Sequence, residues 1–218
     1  MEKITIYGET DSYLVCEKPA GIQSEKGGLP DIVCEQNGSK ELFPVHRLDR
    51  PVSGGIVYAK TAAAAADISG QIARGETEKE YLAVLEGCPE EHEGTWFDLL
   101  FHDRTKNKTY VVDRKRAGVR EARLSYRVVG TAACGEMQFS LVRFLLETGR
   151  THQIRAQSAS RGLPVVGDRR YGSKYREGGV ALRTARLRFR DPDTGEPAEY
   201  SFPVPETGVW QYFKTDSP

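Results

Sequence analysis

Cysteine is scarce in these 218 residues, and long apolar runs are missing altogether. Cys16, Cys34, Cys88 and Cys134 lie scattered, with no CxxC pair and no histidine at metal-ligand spacing, so neither a disulfide framework nor a zinc site is indicated. No run approaches the ~18 apolar residues of a membrane span. The first residues, Met1 to Tyr7, carry no apolar region followed by a cleavage site, and a cytoplasmic location is expected. Internal repeats, heptad arrays and low-complexity linkers are missing too, apart from five alanines at 62 to 66.

Net charge is absent as well, with 31 Lys and Arg balancing 31 Asp and Glu, but the two signs are segregated. Residues 104 to 127 carry nine basic against two acidic side chains, and residues 143 to 190 carry twelve against three. Acid concentrates between 76 and 98 and again from 191 onward. This polarity predicts one basic face, with nucleic acid as the first partner to consider. Solvated strand faces paired with the acidic segments would give the same composition.

Aromatics at 9% and apolar residues at 39% are enough for a core. Short β-rich runs at 4–7 and 13–16 precede a turn at Lys18-Pro19-Ala20-Gly21, and 22 to 42 reads as loop with one short helix. A strand over 55–59 leaves a Gly54-Gly55 turn. Thr61 then caps a helix over 62–74. Strands follow at 79–85, 96–101, 109–112, 122–129 and 137–146. A helix is expected over 151–160, and two more strands at 181–189 and 199–202 flank the turn Asp191 to Gly195. The expected fold class is α+β: one domain on a large, mostly antiparallel mixed β-sheet, with helices and loops packed on it.

Three clusters carry chemistry. In Pro44 to Gly55, Asp49 lies between Arg47 and Arg50 beside Pro51. Neighbouring guanidinium groups favour the ionised carboxylate, which can act as nucleophile or base; a surface aspartate capping a turn is the plainer alternative. In Leu146 to Gln157, Gly149 permits a sharp approach that would put Arg150 at a helix start, where exposed N–H groups favour anions. Thr151, Arg155 and Ser158 would share one face of that helix, and an ordinary amphipathic surface helix is the alternative. Tyr81 alternates with Ala83 and Leu85 on one side of a strand, as a core aromatic or as a stacking platform for a base.

Taken together, His46 to Gly54, Lys79-Glu80-Tyr81, Thr148 to Arg155, Gly162 to Asp168 and Tyr171-Gly172 resemble the RluA family of RNA pseudouridine synthases, in family order across almost the whole chain. The resemblance implies the pseudouridine synthase catalytic fold. It also implies a reaction without cofactor, in which a uridine in ribosomal RNA or tRNA has its base detached at C1′, turned and rejoined through C5. Asp49 matches the essential aspartate, which attacks C1′ or C6 or removes the C2′ proton. Tyr81 matches the aromatic that stacks on the target base, Arg150 the basic partner of the aspartate, and Arg47 the arginine that fills the vacated stack. His46, Leu146, Thr151, His152 and Arg155 are expected with Arg47 among the substrate-binding residues.

Val52, Gln157 and Arg183 stand where the family usually has Thr, His and His. The N-terminus leaves no room for the small S4-like module of many relatives, so the resemblance implies a single catalytic domain over 1–218. The expected partner is structured RNA, met by a monomer without metal or membrane. A catalytically silent RNA-binding or ribosome-assembly factor is the competing reading; a glycosidase would need a second carboxylate as proton donor, and Glu147 is more simply a strand-end residue.

Overall fold

The computed structural model describes residues 3–175 and 178–213. In chain order its elements are β1 (Ile6–Glu9), β2 (Tyr13–Lys18), α1 (Leu29–Asn37), β3 (Phe43–Pro44), β4 (Ser53–Ala59), α2 (Ala62–Arg74), β5 (Glu78–Glu86), β6 (Glu93–Asp103), β7 (Lys108–Val112), β8 (Val119–Cys134), β9 (Met137–Leu146), α3 (Gln153–Ser160), β10 (Leu182–Arg190) and β11 (Pro197–Ser201). The class is α+β. Two compact units emerge: Met1–Lys79 with Arg183–Phe202, and Glu80–Leu182 with Pro203–Pro218.

In the first unit the strand order is β1-β2-β4-β10, with β11 on β10 and β3 on β4. The β4–β10 pair is parallel, joining Ser53 and Gly54 to Arg183 and Thr184; its other pairs are antiparallel. Tyr13, Val15, Val57, Ile68, Leu187, Phe189 and Phe202 form its core. Helix α2 begins where expected: the Thr61 side chain accepts the Ala64 N–H at 3.1 Å, and Gly75 ends it in the left-handed conformation. The expected Gly54-Gly55 turn is instead part of β4. Glycine is needed there because a Cβ on Gly54 would press into the Thr184 backbone and one on Gly55 into the Phe202 ring.

The second unit is an antiparallel array in the order β5-β9-β8-β6-β7. Ala122, Leu124, Tyr126 and Val128 of β8 alternate inward, as a half-buried strand should. Against this array lies α3, with Ala156 packed among Leu100, Ala122 and Tyr171. The helix differs from expectation in two ways. It starts at Gln153, so Thr151 shares no helical face with Arg155 and Ser158. Its residues 153–158 are also all buried rather than amphipathic. The cause of the late start is His152, which sits at φ 55° and cannot continue a right-handed helix.

Candidate active-site residues

Asp49 opens a tight turn in the first unit, closed by Val52 N–H donating to the Asp49 carbonyl at 2.9 Å. Val52 is buried. The turn is fastened from beneath by Lys18, whose side chain is completely buried. Its ammonium donates to the carbonyls of Pro19 at 2.9 Å, Ile22 at 2.8 Å and Arg50 at 3.2 Å. Three donors meet three acceptors, which is what a buried ammonium requires. Burial pulls the Lys18 pKa down to about 8, against the opposing charges of Asp49 and Glu17. Arg50 closes a second link: its Nε donates to the Gly21 carbonyl at 2.8 Å, and the Gly21 N–H to the Arg50 carbonyl at 2.7 Å.

Behind the turn, Glu17 accepts the Gly54 N–H at 3.1 Å and the Tyr7 hydroxyl at 3.1 Å, and pairs with buried Arg183 at 3.4 Å. Burial holds the Arg183 pKa below the usual arginine range, and holds Tyr7 up at about 12 with help from Glu17. Arg47 is exposed and lies 3.5 Å from Glu25. His46 points another way. Its Nε2 accepts the Val57 N–H at 3.2 Å, and burial, with the charge of Lys79, depresses its pKa to about 3. A neutral imidazole holding a strand amide has a structural task.

In the second unit Tyr81 lies in β5 opposite Phe144 of β9 and is 7% exposed. Arg150 is exposed on an elbow between β9 and α3. Its Nε donates to the Glu121 carbonyl at 2.8 Å, and its N–H to Gln153 Oε1 at 3.0 Å. The Thr148 hydroxyl donates to the same Gln153 oxygen at 2.8 Å, and Gln153 Nε2 donates to the Arg123 carbonyl at 3.1 Å. The N–H groups expected to await an anion are thus partly occupied by the chain's own amide. An open pocket of about 500 Å³ flanks Arg150, with Lys115, Arg116, Arg120 and Glu121 in its wall.

The remaining substrate candidates divide. Leu146 ends β9 opposite Leu124, partly buried, and Thr151 is also partly buried. His152 is buried, with Nδ1 2.9 Å from the Tyr171 hydroxyl. Arg155 corrects the expectation: it is 3% exposed and forms a bidentate pair with Asp168 at 2.6 and 3.0 Å. That guanidinium is spent on the fold. All three departures from the family pattern, Val52, Gln157 and Arg183, are likewise buried. Gln157 donates to Asp98 at 2.6 Å.

Sequence reasoning passed over Lys18 and Gln153. Lys18 had a signal, since strand alternation puts it on the face of Leu14 and Cys16, and a lysine on an inward face needs partners. No spacing rule singles out Gln153. Among the described residues no group of three or more His, Cys, Asp or Glu gathers as metal ligands, and no helix is long and apolar enough to cross a membrane.

Residues 12–160 match the RNA pseudouridylate synthase family. The chain is 32% identical over 228 residues to ribosomal large subunit pseudouridine synthase D of Xanthomonas campestris, covering 93% of this chain and 66% of that protein. It is 30% identical over 224 residues to tRNA pseudouridine synthase C of Vibrio cholerae, covering 92% and 91%. In fold it resembles Human RNA Pseudouridylate Synthase Domain Containing 1, with a TM-score of 0.83 at 24% identity over 94% of this chain and 85% of that one. With Asp49, Tyr81 and Arg150 each standing in its motif, the chain belongs to the RluA family of RNA pseudouridine synthases.

Proposed function

We propose that this chain, as a single catalytic domain over 1–218, isomerises uridines in ribosomal RNA or tRNA to pseudouridine. Asp49 begins the reaction, on C1′, on C6 or on the C2′ proton. The glycosidic bond between N1 and C1′ breaks, the base turns, a bond from C5 to C1′ forms, and C5 loses its proton while N1 gains one. Product and substrate are isomers, so this sequence needs no oxidant or co-reactant. Tyr81 stacks on the base, Arg150 pairs with the aspartate, and Arg47 fills the stack that the nucleotide leaves. Of the other motif residues, Leu146, Thr151 and His152 contribute to substrate binding. The basic segments hold the RNA backbone, a salt-sensitive and sequence-independent contribution.

The observation that carries this reading is the treatment of Asp49: its turn is held by a buried ammonium and by two further links between Arg50 and Gly21, one from the Arg50 side chain and one between backbones. A merely decorative surface turn has no need of a buried charge. RNA tritiated at uridine C5 provides the test. The wild-type chain should release tritium to water from ribosomal RNA or tRNA transcripts, and Asp49→Asn should lower that rate by at least about a thousandfold. Unchanged turnover in the variant would remove Asp49 from its role. RNA binding with no tritium release from either transcript would favour the silent assembly factor.

A further inference from the structure

Arg150 has no helix beneath it. The elbow that carries it turns through His152 in the left-handed conformation, which a residue with a Cβ holds only where neighbours over-determine it. Gln153 ties the elbow to β8 on one side. On the other side the tie is Thr109 of β7, which is 2% exposed. Its N–H donates to the Tyr171 hydroxyl at 2.8 Å, the same hydroxyl that meets His152 Nδ1. Its own hydroxyl donates to the Thr151 carbonyl at 2.8 Å and lies 3.0 Å from Nδ1 of His102, its cross-strand neighbour.

The proton count settles the direction of these bonds. A carbonyl only accepts, so the single Thr109 hydroxyl proton is committed to Thr151. The remaining lone pair then faces His102, whose Nδ1 must carry the proton. One hydroxyl therefore joins the β6–β7 hairpin, through His102 and Thr109, to the Thr151 carbonyl beside Arg150, 42 residues on. The arm it belongs to is strongly basic, with Arg104, Lys106 and Lys108 before the strand core and Arg114, Lys115 and Arg116 after it.

We infer that Thr109 is a positioning residue for Arg150, fixing through the bond from its hydroxyl to Thr151 the backbone on which Arg150 is mounted. A displacement of β7 moves the Thr151 carbonyl and so the backbone on which Arg150 is mounted. Thr109 touches no reacting atom. The inference rests on the reading that Arg150 takes part in uridine isomerisation.

Thr109→Val keeps the shape and removes the hydroxyl. With RNA tritiated at uridine C5 as substrate, kcat of the folded variant should fall about 10- to 100-fold. KM should stay within about twofold, because the cations that hold RNA are untouched. Thr109→Ser, which restores the hydroxyl, should return kcat to within about threefold of wild type. A residue that only supports the fold would lower the melting temperature and leave kcat of the folded fraction alone. Should Thr109→Val not fold, His102→Phe removes the donor onto the hydroxyl and keeps a ring against His152, and kcat should drop about 3- to 10-fold. Wild-type kcat in either variant, or a loss confined to KM, overturns the inference. A wild-type chain that releases no tritium, or an Arg150→Ala variant as active as wild type, would instead overturn the underlying assignment of function or of Arg150.

Discussion

The turn that presents Asp49 and the elbow that presents Arg150 are both irregular, both rich in charge, and fastened by opposite means. Beneath the Asp49 turn a single buried ammonium, that of Lys18, serves three backbone carbonyls. The Arg150 elbow is held mainly by neutral groups, the Gln153 amide and the hydroxyls of Thr109 and Thr148. Hydrogen bonds to a charged group contribute about 1.5–3 kcal/mol each, and neutral ones about 1 kcal/mol. The first arrangement therefore concentrates three of its bonds on one charged atom, beside the links through Arg50 and Gly21. The second is spread over several side chains, each of which can fail separately.

The largest break in this comparison is Lys18→Met. Methionine fills the space and leaves the carbonyls of Pro19, Ile22 and Arg50 without their donor, and the loss should come to roughly 3 kcal/mol of unfolding free energy. Urea unfolding measures it. A loss under about 1 kcal/mol would show that the ammonium does not hold the turn. Activity per folded molecule should fall as well, because the Arg50 carbonyl adjoins Asp49.

His46 sharpens the comparison through pH. Its folded pKa, about 3, lies below the ordinary histidine value. Between the two values the unfolded chain binds a proton that the folded chain refuses, so stability declines as pH falls through that window. His46→Asn keeps an acceptor for the Val57 N–H and does not titrate. Relative to this variant, wild type should lose stability as pH drops from about 6.5 towards 3, with roughly 1.4 kcal/mol per pH unit as the upper limit. His46 keeps some contact with solvent, which reduces the slope. Parallel curves for the two proteins would mean that the imidazole charges freely in the fold.

The legible parts of the molecule were those with local causes. Thr61 and Gly75 bound α2 by capping rules that act within one turn, and β9 runs from Met137 to Leu146 as its pattern predicts. The motif positions of Asp49, Tyr81 and Arg150 were also plain. What escaped depends on contacts distant in sequence. Gly54 and Gly55 read as a turn because nothing nearby reveals that Thr184 and Phe202 crowd them. Helix α3 was placed two residues early because the conformation of His152 is held by Tyr171 and by β7, not by its neighbours in sequence. Arg155 reads as available in sequence, but Asp168, 13 residues on, takes its Nε and one terminal nitrogen.

The smallest expected effect belongs to Arg47 and Glu25, and it separates function from stability most cleanly. Their side chains are 55% and 60% exposed and 3.5 Å apart. An exposed pair of this kind contributes little, so Glu25→Gln should shift unfolding free energy by less than about 0.5 kcal/mol. Its influence should appear in RNA binding, where the Glu25 carboxylate competes with phosphate for the Arg47 guanidinium. At low salt the variant should bind RNA about two- to threefold more tightly, and the gain should fade as salt screens both interactions. Filter binding across a salt series reads this directly. A large stability loss with unchanged RNA affinity would make the pair a fastening of the Asp49 turn, and would turn Arg47 from an RNA contact into a counterpart of Lys18.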